Sequence, residues 1–300
     1  LFATADSLTR APLHASAPSG WTADATIDPK VADCLHIAAA FERADDFDLS
    51  HTGFDFLPLT YSGLVRTPVI TTIHGFSSPR ILPVYERYDA TTHYVAISDA
   101  DRNPHLHYTA TIHHGIDAAA FAVDPTPGDH LLYFGRIHPD KGTRHAIDVA
   151  RRSGRRLDIA GIVQDERYFR DEVEPHLDDE HVRYLGAVTT SERAVVLGGA
   201  HALLHLIDFD EPFGYSVVEA MACGTPVIAN ARGSMTELID DRVTGYLVTN
   251  PDEAVEAVDR AADLDRDAIR AVTVTRFDIT TMIDKYVAAY RTILSSYDTN

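Results

Sequence analysis

Glu211-Pro-Phe-Gly-Tyr-Ser-Val-Val-Glu219, continued by Ala-Met-Ala-Cys-Gly-Thr-Pro-Val-Ile-Ala229, is the stretch whose reading decides the fold. Two carboxylates stand with seven residues between them, and a Pro-Phe-Gly bend follows the first. Gly214 permits a sharp turn and close approach of another molecule to the backbone. The pattern predicts a helix over about Tyr215 to Cys223, ended by Gly224 and Pro226, and then a strand over Thr225–Ala229. Val217, Val218, Ala220, Met221 and Ala222 leave this helix no polar face, so it is expected to be buried. Glu219 then lies on a buried helix and needs a partner. One partner would be a buried Arg, which would make the carboxylate structural. The other would be a ligand's hydroxyl groups. The helix N-terminus, with its free N–H groups and partial positive charge, is a seat for a phosphate. Two carboxylates for hydroxyls and one dipole for an anion match the needs of a nucleotide-sugar.

Working outward, the chain of 300 residues is long enough for two domains. With 45% hydrophobic residues it reads as globular. No apolar run reaches the length of a membrane span, and no signal peptide pattern is present. The net charge of −19 argues against nucleic acid and anionic membranes as partners. The lysines are Lys30, Lys141 and Lys285, and such an acidic, lysine-poor composition suits either a salt-rich cytoplasm or a GC-rich genome. Cys34 and Cys223 fall in separate apolar stretches, which predicts free thiols and a cytoplasmic home. The histidines, including His105, His107, His113 and His114, match no zinc spacing, so no metal site is expected.

Residues 1 to about 120 alternate short apolar runs with helical patterns. Leu1–Thr4 reads as a strand, residues 10–29 as a long loop, and Lys30–Arg43 as an amphipathic helix with Val31, Cys34, Leu35, Ala38 and Phe41 on its core face. A turn is expected at Gly53, followed by an apolar helix to about Leu64. Strands are predicted over Asp48–Thr52, Pro68–Ile73, His93–Ile97 and Thr109–His113, three of them ending at His74, at Ser98 (an expected cap for a following helix) and at His114. Strand–helix alternation means a parallel sheet, and ligands sit at the carboxyl ends of such strands. Residues 121–129, Phe-Ala-Val-Asp-Pro-Thr-Pro-Gly-Asp, read as a linker, after which the alternation restarts. Gly135, Arg136, Lys141 and Gly142 form a glycine-bracketed loop with two cations between a strand over His130–Phe134 and a helix from Thr143. Arg for bidentate contact and Lys as a point charge make this an anion-binding loop, though not a Walker loop. Downstream, strands are expected over Arg156–Ala160, His181–Leu185, Ala202–Ile207 and Gly245–Val248, and helices over residues 165–176, Ser191–Leu197 and Pro251–Leu264. The last helix carries a 3.6-residue stripe of Ile279, Met282, Ile283, Tyr286, Val287, Tyr290, Ile293 and Leu294, expected to dock on the first domain.

In sum the chain resembles the GT-B glycosyltransferases, specifically the large family 4 of retaining enzymes. The residues that carry the resemblance are His74-Gly75-Phe76, Ala96-Ile-Ser98, Ile112-His-His-Gly-Ile-Asp117, Gly135-Arg136 with Lys141-Gly142, Tyr184-Leu-Gly186, the Glu211…Glu219 pair and Gly245-Tyr-Leu-Val248. The resemblance implies an α/β fold of two Rossmann-like doubly wound domains facing a central cleft. Residues 1–121 would form the acceptor-side domain, 122–276 the nucleotide-sugar domain, and 277–300 a helix returning to the first. It implies transfer of a hexose from a UDP- or GDP-sugar to an acceptor hydroxyl, with no required cofactor or bound metal. Glu219 would hold the ribose hydroxyls and Glu211 the donor sugar hydroxyls. Arg136 and Lys141 would stabilise the departing diphosphate, and His74 would stand near the donor sugar. Backbone groups of Phe213, Gly214 and Tyr215 would hold sugar or phosphate, and Gly135, Ser98 and His114 would line the site. The turn from Gly186 to Val188 would pack by the base. Two departures stand out: the family's opening strand, glycine-rich loop and helix are not seen, and His114 stands where Asn is more usual. Alternative readings are a donor-binding module without transfer activity, or a GT-B sugar phosphorylase or epimerase. The resemblance leaves open the base, the sugar, the acceptor (small molecule, glycan or lipid) and the oligomeric state, and allows at most peripheral membrane contact.

Overall fold

The structure, a computed structural model, describes residues 1–20, 26–76, 78–124 and 126–297. Residues 21–25 of the expected loop over 10–29 and Pro125 of the expected linker lie outside the described residues. The chain divides into two units: Leu1–Ala96, Arg102–Thr111 and Val287–Asn300 make the first, and Ile97–Asp101 with Ile112–Tyr286 the second.

The first unit holds α1 (Pro29–Phe41), β1 (Ser50–Thr52), α2 (Leu59–Ser62), β2 (Val69–Ile73), α3 (Leu82–Tyr88), β3 (Thr92–Ala96) and β4 (Tyr108–Thr111). Its four strands pair in parallel in the order β1-β2-β3-β4. Leu59, Ile73, Tyr85, Tyr94 and Leu106 form its core. The two buried tyrosines find partners for their hydroxyls: Tyr94 donates to the Tyr85 carbonyl at 2.8 Å, and Tyr85 to Asp55 Oδ1 at 2.8 Å. This satisfies the polar end of a large apolar side chain.

Three expectations need correction here. Leu1–Thr4 is no strand; Phe2 makes only an isolated bridge to His14. The helix expected after Gly53 shrinks to the single turn of α2. In α1 the expected core residues Val31, Cys34 and Leu35 are exposed, and Ile37 is the buried one. Ala38, Ala39 and Ala40 beside Ile37 make this helix apolar nearly all round, so periodicity alone cannot choose its face.

The second unit runs β5 (Leu131–Phe134), α4 (Thr143–Ser153), β6 (Leu157–Ala160), α5 (Glu166–Tyr168), β7 (Val182–Gly186), α6 (Thr190–Gly198), β8 (Ala202–His205), α7 (Tyr215–Ala222), β9 (Val227–Asn230), α8 (Met235–Leu238), β10 (Gly245–Val248), α9 (Pro251–Arg260) and α10 (Arg266–Phe277). The last helix, α11 (Ile279–Tyr297), begins in this unit, and its residues from Val287 belong to the first. There the Tyr290 hydroxyl pairs with His51 Nδ1 at 2.6 Å. Of the predicted apolar stripe on α11, Ile293 is buried while Ile279 and Ile283 are exposed.

The six strands are parallel in the order β10-β9-β8-β5-β6-β7. Successive side chains go to opposite faces, as a strand's two-residue period requires. Leu132, Leu203, Val227 and Ala229 pack on one side with α7 and α10. Leu131, Tyr133, Leu204 and Ile228 pack on the other with α4 and α9. Both faces are thus covered, which is why the strands read as continuous apolar runs.

Two short elements and one long one in this unit depart from expectation. Ser98 caps no helix: its Oγ accepts the Asp101 N–H at 3.1 Å within a turn. The helix expected over 165–176 breaks into α5, a π-helical stretch Phe169–Val173 and a 3₁₀ turn Glu174–His176. Pro175 cannot donate to the helical ladder and its ring crowds the preceding turn, which accounts for the break. α10 went unread because Val272-Thr-Val-Thr275 has strand-forming composition, yet the run packs as a helix against α7.

Candidate active site

In the six-stranded sheet the chain leaves β5 toward β6 and β7 on one side, and β8 lies on β5's other side. That reversal is a topological switch point, where the loops after adjacent strands part and leave a crevice. The loops after β5 and β8 are the Arg136–Lys141 loop and the Asp208–Glu211 loop. The fold therefore brings together the two motifs that the sequence holds 70 residues apart.

The first loop is shaped by its exit. Lys141 ends a 3₁₀ turn, and Gly142 takes φ +73° to enter α4. A Cβ on Gly142 would stand 2.0 Å from the Leu206 carbonyl oxygen, so this loop lies directly on the chain leaving β8. As a result Lys141 Nζ reaches Glu211 Oε2 at 2.5 Å, with the ammonium 4.5 Å from the centre of the Phe209 ring. Both side chains are mostly buried, with 15% and 16% exposed. Arg136 is exposed; its Nη1 donates to Gln164 Oε1 at 2.5 Å, and its carbonyl accepts the Tyr133 hydroxyl at 2.7 Å. A charge-assisted pair that excludes water is stronger than its surface counterpart.

The second loop is locked from behind. The Ser234 N–H donates to the Glu211 carbonyl at 3.0 Å, and the Ser234 hydroxyl donates to the Phe213 carbonyl. Gly214 takes φ +113° at the start of α7, and a Cβ there would meet Met235 Cε at 2.8 Å. Tyr215 opens α7 half-exposed, stacked on His114 with ring centres 5.0 Å apart and 17° between planes. Phe213 is buried beside both.

Glu219 sits on the buried face of α7, its side chain only 8% exposed. Its Oε1 accepts from Arg193 Nη1 of α6 at 2.7 Å. Burial pushes the Glu219 carboxyl up, and Arg193 opposes that rise without cancelling it. The buried partner weighed for Glu219 from the sequence is therefore present, although Arg193 itself keeps 35% of its side chain exposed.

The other residues singled out in the sequence fall as follows. Gly135 donates its N–H to the Ala160 carbonyl at 3.0 Å, at the carboxyl end of β5. Val188 is partly buried against the core, in the turn after β7. Ser98 is fully buried. His114, Gly135, Val188 and Ser98 all belong to the second unit, with Arg136, Lys141, Glu211, Phe213, Gly214, Tyr215 and Glu219. His74 belongs to the first unit, exposed at the end of β2, its Nε2 lying 3.0 Å from where a Cβ on Gly53 would stand.

Three residues at this site were missed by sequence reasoning. Arg193 is one, 26 positions before Glu219. Gln164 on Arg136 is another. The third is His205, the last residue of β8, buried with no partner on Nε2. Burial holds its pKa down, from 6.5 to about 4; Glu211 pulls upward and Lys141 pushes downward. Nothing short-range signals any of the three.

Among the described residues no group of three or more His, Cys, Asp or Glu is placed to hold a metal ion. Nor, among them, is any helix long and apolar enough to cross a membrane.

Comparison with known proteins bears on this geometry. Residues 122–272 match the family described as glycosyl transferases group 1. The chain is 26% identical over 282 residues to a phosphatidyl-myo-inositol mannosyltransferase of Mycobacterium leprae, covering 84% of this chain and 75% of that protein. It is 32% identical over 151 residues to a glycogen synthase of Mycobacterium tuberculosis, covering 47% of this chain and 36% of that one. The crystal structure of Anabaena Alr3699/HepE in complex with UDP superposes with a TM-score of 0.74 at 18% identity, covering 94% of this chain and 86% of that one. The α/β architecture with two parallel sheets is thus that of the GT-B glycosyltransferases.

Proposed function

Because the chain belongs to the glycosyl transferases of group 1, we propose that it moves a hexose from a UDP- or GDP-linked sugar to an acceptor hydroxyl with retention at the anomeric carbon. One observation carries this reading. At the switch point Lys141 and Glu211 meet at 2.5 Å, with Arg136 on the same loop as Lys141 and α7 opening four residues beyond Glu211. Cations, a carboxylate and a helix N-terminus are the groups that a diphosphate and a sugar ring require.

The proposed chemistry runs through these residues, with 122–276 as the nucleotide-sugar domain. Arg136 and Lys141 hold the diphosphate, whose charge grows as the bond from the anomeric carbon to the phosphate oxygen breaks. Interactions that strengthen in step with that charge lower the barrier rather than merely tighten binding. Glu211 orients the sugar through its hydroxyls, and the first-turn N–H groups of α7 with the backbone at Phe213 and Gly214 help seat the donor. The acceptor oxygen forms its bond on the face the phosphate leaves, and its proton passes to the departing phosphate oxygen. No protein nucleophile is needed, and no bound metal is invoked. Ser98 and His114 are proposed as lining groups, and Val188 as a neighbour of the base.

The likeness to a structure in complex with UDP supports a nucleotide-linked donor, and the mannosyltransferase relative supports a hexose as the group moved. The acceptor class follows from neither. Slow hydrolysis of the donor tests the stereochemistry without an acceptor. Proton NMR of the hexose first released from UDP-glucose or GDP-mannose is expected to show the donor's own α-anomer. Initial release of the β-anomer would contradict retention.

A further inference from the structure

We propose that Arg193 is the positioning residue that makes Glu219 a reader of the ribose hydroxyls, by fixing one carboxylate oxygen and leaving the other for the nucleotide. The inference rests on the reading of the chain as a nucleotide-sugar transferase.

Arg193 follows the Thr189–Glu192 capping box, in which the Glu192 carboxylate accepts the Thr189 N–H at 3.0 Å, and its own N–H donates to the Thr189 carbonyl at 3.1 Å. The first turn of α6 is therefore held at both ends of the box. From there the guanidinium reaches over the Phe134 ring, 5.7 Å from its centre, at the carboxyl end of β5. It engages Glu219 by one arm only: Nη1 donates to Oε1 at 2.7 Å, while Nε, buried, has no partner. Glu219 Oε2 has no donor among the described residues. A closed bidentate fork would have spent both oxygens on the protein. The one-armed contact spends one and fixes the plane of the other.

The contact also favours the charged form. A neutral carboxylic acid would offer one donor and a poor acceptor, whereas an ionised carboxylate accepts from two vicinal hydroxyls. Burial works against the ionised form and Arg193 works for it. The other titratable and charged groups facing this part of α7 are Tyr215 and Cys223 on the helix itself, with Arg266 and Arg270 from α10 at the Cys223 end. None of these contacts the Glu219 carboxylate, so Arg193 alone supplies its counter-charge.

The test compares calorimetric affinities for UDP and GDP with those for their 2′,3′-dideoxy counterparts, in wild type and in Arg193→Met. For the nucleotide that binds, wild type is expected to favour the ribose form by about tenfold or more. In Arg193→Met that gap closes at pH 7 while binding through the phosphates persists. Raising the pH favours the ionised form of Glu219 and so widens the gap again in the variant. Arg193→Lys, which keeps the charge and guards against a folding defect, retains part of the gap at pH 7. A gap in Arg193→Met equal to that of wild type would overturn the inference alone. So would a lost gap that alkaline pH does not restore, since that outcome marks a purely structural role. Wild type that fails to distinguish ribose from dideoxyribose would overturn the ribose reading of Glu219, and the inference with it.

Discussion

Lys141, Glu211 and His205 meet at one point although they come from three places in the sequence, and their proximity has a consequence for pH. His205 is neutral in the fold because burial holds its pKa at about 4, against 6.5 when unfolded. Its stabilising contribution is therefore complete above about pH 6.5 and is lost as pH falls toward 4. The shift corresponds to about 3 kcal/mol, an order-of-magnitude figure for one buried imidazole. Denaturant unfolding of wild type and His205→Leu at pH 7 and pH 4 should show wild type losing about that much more than the variant. Parallel losses would show that the imidazole is protonated without penalty. At this scale the sequence was readable where the signal is local. Arg136 and Lys141 stand out as cations in a strand-to-helix loop, and Glu211 as a carboxylate before a glycine bend. Arg193 was not readable, because a side chain on one amphipathic helix gives no sign of which carboxylate on another it will meet.

Elements repeat this division between local and long-range signals. α7 and β9 were legible because Gly224 and Pro226 punctuate an otherwise apolar run, and the structure keeps α7 buried on every position from Val217 to Ala222. α6 was legible as the helix after the turn at Gly186 to Val188, and its capping box explains why it starts where it does. Thr189→Ala should remove that cap at a cost of about 1 kcal/mol, lowering the melting temperature by roughly 2–4 °C. An unchanged melting temperature would mean that water caps the turn equally well. The buried face of α1 and the existence of α10 were hidden in the sequence for opposite reasons. α1 has too many apolar positions for its period to select a face. α10 carries β-branched residues whose strand preference is overridden by packing on α7. In both, tertiary burial decided what local propensity could not.

At the scale of the whole molecule, the alternation of strands and helices fixed the class, and the class fixed where to look. A six-stranded parallel sheet whose order turns between β5 and β8 has one place where two loops part, and the charged residues are on those two loops. The acidic balance of −19 makes Arg136 and Lys141 stand out: an anion drawn to such a chain must be held by specific cations rather than by the overall field. Lys141 is one of three lysines in the chain, and it stands against Glu211, so the residue proposed for the diphosphate and the one proposed for the sugar are in contact. Sugar and acceptor identity were not legible, because they depend on side chains that no spacing rule connects. The most direct test of nucleotide-sugar binding at this point is isothermal calorimetry of UDP and GDP with wild type and Lys141→Ala. One of the two diphosphates is expected to bind wild type, and Lys141→Ala to weaken it at least tenfold, the loss of one charge-assisted contact. Binding of neither diphosphate at millimolar concentration, or equal binding by the variant, would contradict it.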